Sequence, residues 1–384
     1  MIAKTLRGVA AALLIGTAAV AAVSLSTATV AEAAGVRPQV GKPIQDAIAL
    51  ASAGKSGAAL AKVKEAEAVG GLTSAERQII SQTKDYIAAK TGNFSGGVSN
   101  ATGAQAKFAA DYNARRYHDV ITTDADLLRK YNALDFKSQL IVAQAYYLSG
   151  DYRGAIRYLN SMGDSDSVLS LKMAAAAKIG DTEAQRQAAE SLVLRGQSKF
   201  WPYLLSAADN TRGLSDAETF AVYRIRFLTG QMRNAGDYSN ATQLAILLDL
   251  PQEGLAIEQK GFDAKTLSGE REQRLLSQAK ALAAAQAAQL PKMATQANAA
   301  ATGDPLIKVA EIYWGMGRYQ DAADAAEAAL KKGVKDEGNA QIVLGMAYTG
   351  LKKSSQAARA FAKVKDDPKA QVVARLWSVY ARSR

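Results

Sequence analysis

Two distant segments of the chain share one pattern of small, aromatic and glycine residues. Residues 140–159 (LIVAQAYYLSGDYRGAIRYL) and 307–326 (IKVAEIYWGMGRYQDAADAA) align without a gap. The shared positions are Val142, Ala143, Tyr146, Gly150, Tyr152 and Ala155 in the first copy, and Val309, Ala310, Tyr313, Gly317, Tyr319 and Ala322 in the second. A third copy follows at residues 342–361, with Leu344, Gly345, Tyr348, Ala357 and Phe361. Each copy is typical of two amphipathic helices joined by a short turn.

This repetition predicts a stack of helix pairs. A single pair cannot bury its apolar stripe alone, so neighbouring pairs must share a core. Small residues such as Ala143 and Ala155 let the two helices of a pair approach closely, and Gly150 permits the positive φ that ends the first helix. Weaker copies extend the pattern towards the N-terminus, at residues 44–66, 108–128, 174–194, 220–235 and 245–261.

The repeats resemble the tetratricopeptide repeat family. Ala322 and Ala357 occupy equivalent small-residue positions 35 residues apart (357 − 322), close to that family's period of about 34 residues. The resemblance implies an all-α fold, namely a right-handed α-solenoid of tetratricopeptide-like helix–turn–helix repeats. About eight to ten units would cover the chain from residue 36 to its end.

The regularity of the copies divides the chain into segments. Residues 35–266 hold degenerate repeats, whereas residues 304–384 hold the well-formed ones and close with a solvating helix at 371–382. Between them, residues 267–303 are expected to form an irregular Ala-rich helical connector, broken at Pro291 because proline lacks the backbone donor that a helix interior needs.

Residues 1–34 have the three parts of a secretory signal peptide. Lys4 and Arg7 precede an apolar run from residue 9 to residue 23, and the segment ends in Ala31-Glu32-Ala33-Ala34. A positive start, a short apolar stretch and a small-residue site are typical of a cleaved signal, whereas a retained anchor usually needs a longer run. We therefore expect an exported protein, periplasmic or secreted, with no transmembrane segment in the mature chain.

The chain has no cysteine, so it can form neither disulfides nor a lipid-modified N-terminal cysteine. The net charge is +11, and it becomes +10 after loss of Lys4, Arg7 and Glu32 (11 − 2 + 1). A basic exported chain suggests acidic partners. The excess charge is expected to be spread along the chain, without the dense cluster that is typical of nucleic-acid binding.

Short motifs that resemble catalytic or metal sites lack their required context. Gly54-Lys55-Ser56 has neither the earlier glycine nor the strand of a phosphate-binding loop. Ser81 and Lys84 lie only about ten residues before Lys90-Thr91-Gly92, too close for a penicillin-binding enzyme. We therefore predict no enzyme activity, no cofactor and no metal.

His118 is the only histidine, which excludes the common zinc sites within one chain. It is expected to face solvent at the start of a second helix. Asp119, Asp124 and Asp126 lie nearby and are interpreted as part of an acidic, solvated helix surface, since their spacing matches no known set of metal ligands.

The resemblance also implies a partner-binding groove lined by the first helix of each pair. Carried over to the strong copies, its positions are Leu140, Gln144, Tyr147, Ile307, Glu311, Trp314, Ile342, Met346 and Thr349. Apolar residues stand where a carboxylate-binding subclass has Lys and Asn, which favours a more apolar ligand.

Three functions remain open from the sequence. The first is a non-enzymatic scaffold or adaptor of the bacterial cell envelope that binds a partner's peptide or helix in the groove, in envelope or surface-polysaccharide assembly. The second is binding of an acidic glycan or anionic lipid by a basic surface. The third is an accessory factor of an envelope enzyme.

Overall fold

The computed structural model describes residues 36–94, 97–365 and 367–384, and across these ranges the fold is all-α with no strand. This confirms the all-α part of the predicted fold class. The expected signal peptide, residues 1–34, lies outside the described residues. Helices that follow one another in sequence pack as neighbours in space, as in a helical repeat protein.

The chain divides after Gln185 into two compact units, and the division falls within one helix. The N-terminal unit contains α1 to α8 and the start of α9. Their bounds are α1 Pro38–Ser52, α2 Ser56–Glu67, α3 Ser74–Thr91, α4 Ala101–Asn113, α5 Tyr117–Lys130, α6 Phe136–Leu148, α7 Tyr152–Asn160, α8 Asp166–Lys178 and α9 Thr182–Leu194. Within α5, a π-helical segment at Val120–Asp124 separates the α-helical Tyr117–Asp119 and Ala125–Lys130.

The C-terminal unit contains the rest of α9, a short 3-10 turn at Ser198–Phe200, and ten further helices. Their bounds are α10 Trp201–Asp209, α11 Asp216–Leu228, α12 Ala235–Leu247, α13 Pro251–Asp263, α14 Glu270–Ala299, α15 Asp304–Gly315, α16 Tyr319–Lys332, α17 Glu337–Gly350, α18 Ser354–Phe361 and α19 Pro368–Arg382. The well-formed repeats of residues 304–384 thus share one unit with α10 to α14.

Local sequence signals start and end the helices where the repeats predict. Thr73 caps α3 together with Glu76, and Ser215 caps α11 together with Glu218, each pair satisfying backbone donors at the helix start. The turns of the two best copies contain Gly150 at φ 88° and Gly317 at φ 73°. Because L residues rarely adopt positive φ, glycine at these turns lets each pair fold back sharply.

Helix α14 differs from the predicted connector, since it is one continuous helix of 30 residues that contains Pro291. Proline removes one backbone hydrogen bond, but buried residues lie on both sides of it, at Leu290 and Ala297. The helix packs against α12, α13 and α15, so it belongs to the core. The predicted break at Pro291 is wrong, because packing along the whole helix outweighs the local cost.

The last helix, α19, also differs from its predicted role as a solvating end. Its buried residues include Leu376, Trp377, Val379 and Tyr380, and Trp377 has no exposed surface. It packs against α17 and α18, and also against α10 and α11 at the beginning of the unit. The C-terminal unit therefore closes on itself, which an open array would not do.

Candidate partner-binding surface

In the C-terminal unit, the positions expected to face a partner are largely covered by the protein itself. Ile307 and Glu311 are each 7% exposed, Ile342 is 3% exposed and Met346 is fully buried. Trp314 and Thr349 are half-buried. Contrary to the expectation of an open groove, these four side chains are therefore buried within the unit, and two of them, Glu311 and Met346, contact Arg224 of α11.

Arg224 of α11 is the centre of this covered surface. Its Nε donates to Glu253 Oε2 at 2.7 Å and its Nη2 to Glu253 Oε1 at 2.6 Å, while Nη2 lies 3.7 Å from Glu311 Oε1. The guanidinium carbon lies 4.4 Å from the centre of the Phe220 ring and 5.2 Å from that of Trp314. A bidentate carboxylate and two aromatic faces compensate for the removal of this charge from water.

The charges around Arg224 are balanced. Burial opposes the charged form of Arg224, but the carboxylates of Glu253 and Glu311 outweigh it and raise the pKa of the guanidinium. Glu311 has a second cation, since Lys308 Nζ lies 3.4 Å from its Oε2. Two cations thus face two carboxylates, and the group contributes to packing of the unit.

Two tryptophans complete the closed interior. Trp314 Nε1 donates to the Met346 carbonyl at 3.1 Å, and the Trp377 Nε1 donates to the Ala221 carbonyl of α11 at 3.1 Å. The two indole rings meet edge to face with centroids 5.9 Å apart. Trp314 is therefore held by the protein's own side chains and backbone. Sequence reasoning missed Arg224, although a charged residue among the apolar residues of α11 would have indicated a buried ion pair.

The N-terminal unit retains an accessible face on α6. Leu140, Gln144 and Tyr147 are half-buried, and Phe136, one turn before Leu140, is 49% exposed. The spacings of four, four and three residues place all four on one side of the helix. Sequence reasoning missed Phe136, although its position one turn before Leu140 would have indicated it.

Tyrosines adjoin this stripe and give it polar contacts. Tyr112 of α4 donates its hydroxyl to Gln144 Oε1 at 3.2 Å. The rings of Tyr147 and Tyr152 meet edge to face at 5.3 Å, as do those of Tyr112 and Tyr117 at 5.9 Å. We call Phe136, Leu140, Gln144, Tyr147 and Tyr112 the α6 face.

A buried charge cluster lies next to the α6 face in sequence and in space. Lys107 Nζ donates to Asp111 Oδ2 at 2.6 Å and to Asp124 Oδ1 at 2.5 Å, while Arg116 Nε donates to Asp111 Oδ1 at 2.7 Å. Asp124 has no exposed surface, and its Oδ2 has no hydrogen-bond partner. The interpretation of Asp124 as part of a solvated surface is wrong, because the π-helical segment turns its side chain inwards.

The environment of Asp124 favours its neutral form. Burial, opposed by Lys107 and reinforced by the neighbouring Asp111, raises the pKa of Asp124 to about 7. The other polar residues named with it lie elsewhere: His118 is exposed and the Asp126 side chain is 75% exposed, paired with Arg129. His118, Asp124 and Asp126 therefore do not form one site.

Ser81 and Lys84, which resembled part of a penicillin-binding site in the sequence, contact different residues. Ser81 donates its hydroxyl to Ser99, whereas Lys84 pairs with Glu67. Across the part of the chain that the structure describes, no group of three His, Asp or Glu residues is arranged to hold a metal ion. Within the same ranges, no helix has both the length and the apolar character to cross a membrane.

The positive charge is concentrated at the C-terminus. Residues 331–384 contain twelve Lys or Arg and four Asp or Glu, a net charge of +8 (12 − 4) out of the +10 expected for the mature chain. All twelve cations are exposed, and none forms an ion pair with another described residue. The expectation that the excess is spread along the chain is therefore wrong.

No protein-family model matches the chain, and no curated protein matches it.

Proposed function

We propose that this protein is a non-enzymatic adaptor of the tetratricopeptide repeat type, exported to the periplasm or secreted, that binds a partner's peptide or helix through the α6 face. The right-handed course of the solenoid belongs to this proposal. The single observation that carries it is the accessible stripe from Phe136 to Tyr147, on the first helix of the best N-terminal copy.

The chemistry of the α6 face suits an amphipathic partner. Phe136, Leu140 and Tyr147 offer apolar area, while Gln144 and the Tyr112 hydroxyl can exchange hydrogen bonds with a backbone. Aromatic anchors that become fully desolvated in an interface are typically worth about 2 kcal/mol or more. Four of the six corresponding positions in the C-terminal copies are buried, so binding would fall to the N-terminal unit.

Capture from the native cell envelope with matched variants tests this function. Phe136→Lys places a charge on the α6 face, and Leu247→Lys places the same charge on a different exposed apolar residue, 69% exposed on α12. We expect a protein that co-purifies with the wild type to fall at least tenfold with Phe136→Lys and to remain with Leu247→Lys. Equal recovery with both variants would contradict binding by this face.

The concentrated positive charge supports a second candidate, the binding of an acidic glycan or anionic lipid. Twelve exposed cations at the C-terminus would attract a polyanion, and such attraction is screened over about 10 Å at 0.1 M salt. Binding that disappears between low and moderate salt and is unaffected by Phe136→Lys would favour this candidate. Either function is compatible with a role in envelope or surface-polysaccharide assembly, and with a role as an accessory factor of an envelope enzyme.

A further inference from the structure

A pocket of about 300 Å³ lies in the C-terminal unit, outside the α6 face and outside the closed interior. It is formed by the end of α10, the loop that follows, one side of α11 and the turn before α12. Its polar lining residues are Asp209, Thr211, Thr219, Tyr223, Arg226 and Arg233. The volume is at the lower end of the range that holds small ligands.

Helix α11 lines this pocket with the side opposite to Arg224. Thr219, Tyr223 and Arg226 follow one another at spacings of four and three residues, so they share one face of the helix. Thr211 adds a third hydroxyl from the loop, and this hydroxyl donates to the Ala207 carbonyl at 2.8 Å. The pocket therefore combines guanidinium donors with hydroxyl groups that can donate or accept.

Arg226 is the buried cation of the pocket. Its side chain is only 4% exposed, and its Nη2 donates to Asp209 Oδ1 at 2.5 Å. A guanidinium has five N–H donors, and no hydrogen bond from Nε or Nη1 to another described residue is present. Buried cations are normally fully paired. The N–H donors at Nε and Nη1 of Arg226 can therefore bind an acceptor that enters the pocket.

The charges of the lining favour a single negative charge on the ligand. Arg226, Arg233 and Asp209 sum to +1, with Asp209 Oδ2 lying 3.5 Å from Arg233 Nη1. Asp237, outside the lining, accepts from Arg233 Nε and Nη2 at 2.9 Å each. With Asp237 counted, the two arginines and their two carboxylates sum to zero, so a ligand with two negative charges would meet no excess of positive charge, whereas one carboxylate would match the fork geometry of arginine at the unpaired donors of Arg226.

We infer that this pocket binds a small polar molecule carrying one carboxylate, about the size of a single acidic sugar. The carboxylate accepts from the unused donors of Arg226, with Arg233 at the more exposed side. The hydroxyls of Thr211, Thr219 and Tyr223 pair with hydroxyl groups of the ligand. This binding is separate from that of the α6 face and does not depend on it.

Calorimetric titration of the full chain with glucuronate, glucose and inorganic sulfate tests the inference. Glucuronate supplies the carboxylate and hydroxyl groups, glucose lacks the charge, and sulfate supplies charge without the carboxylate. We expect saturable binding of glucuronate, with glucose and sulfate at least tenfold weaker. Sulfate that binds as tightly as glucuronate, or glucuronate that does not bind, would overturn the inference.

Substitutions in the pocket lining test whether glucuronate binds there. Arg233→Gln removes the exposed cation and Thr219→Val removes one hydroxyl, and we expect each to weaken glucuronate binding at least threefold, while Arg226→Gln abolishes it. Arg375→Gln is the matched control, because Arg375 is an exposed arginine of α19 that does not line the pocket. If Arg226→Gln does not fold, the test rests on Arg233→Gln and Thr219→Val. If both of these variants bind glucuronate with the same affinity as Arg375→Gln, glucuronate does not bind in this pocket.

Discussion

Each unit contains a group of buried charged side chains that compensate one another. In the N-terminal unit, Lys107 bridges Asp111 and Asp124, and in the C-terminal unit Arg224 binds Glu253 beside Glu311. Taking a charge out of water costs several kcal/mol, and only a well-placed partner returns it. Removal of one member therefore does more damage than its own interactions suggest.

Asp124 should make the N-terminal unit less stable as the pH rises from about 4 to about 7. Its folded pKa, raised by burial to about 7, lies above the value of about 3.9 in an unfolded chain. Between these values the folded state holds a proton that the unfolded state has lost, so stability falls with rising pH by up to about 4 kcal/mol. Above pH 7 the loss is complete.

Asp124→Asn should remove this slope, because the amide resembles the protonated acid. Urea unfolding at pH 5 and pH 8 measures it: we expect the wild type to lose stability between the two and the variant to change less. Asp126→Asn, at a side chain 75% exposed, is the control and should follow the wild type. Parallel profiles for wild type and Asp124→Asn would contradict a raised pKa at this residue.

Arg224→Met should cost about 3–5 kcal/mol, because it leaves buried carboxylates without their main partner. Burial raises the pKa of Glu253, so the variant should recover stability as the pH falls and the carboxylates take up protons. Addition of Glu253→Gln should restore part of the loss at pH 7. Thermal unfolding measures these effects, with the exposed Arg271→Met as control; equal stability of the two arginine variants would contradict the role of Arg224.

At the scale of the element, small residues set how closely paired helices approach. A Cβ placed on Gly345 of α17 would lie 2.3 Å from Cε1 of Phe361 on α18, so the ring packs directly on the helix backbone. The turns and small residues of the three copies are local features that the sequence pattern predicts. What it could not predict is the packing that keeps α14 helical through Pro291, since that packing depends on residues from other helices.

Gly345→Ala should therefore destabilise the protein by about 1–3 kcal/mol, since the methyl group overpacks the contact with Phe361. Gly57→Ala is the control, because nothing lies within 4 Å of its Cβ position and α2 is helical there, so that change should be neutral or slightly stabilising. Denaturant unfolding measures both. In the double variant Gly345→Ala, Phe361→Leu, the two changes should cost less than their sum; simple additivity would mean that the ring is not the cause.

At the scale of the whole molecule, the sequence pattern predicts the helix pairs but not the contacts between residues far apart in the chain. The helix pairs follow from local periodicity, but the closure of the C-terminal unit brings Trp377 against Ala221, residues 156 positions apart. No pattern within one repeat specifies such a contact. The same holds for the candidate site. Leu140, Gln144 and Tyr147 are half-buried, whereas Ile307, Glu311, Ile342 and Met346 are buried, and Glu311 and Met346 contact Arg224, which is far from them in the sequence.

Trp377→Ala distinguishes a closed unit from an open array of repeats. Removal of a fully buried tryptophan should cost about 3–5 kcal/mol. The helices whose amides then exchange hydrogen faster depend on the topology of the unit. In an open array each repeat contacts only its neighbours, so faster hydrogen exchange would be confined to α17, α18 and α19. Because α19 also packs on α10 and α11, we expect amides of these two helices to exchange faster as well. Leu247→Ala, at an exposed leucine, should change neither region. Unchanged protection of α10 and α11 in Trp377→Ala would mean that the contact with α19 contributes nothing to their stability.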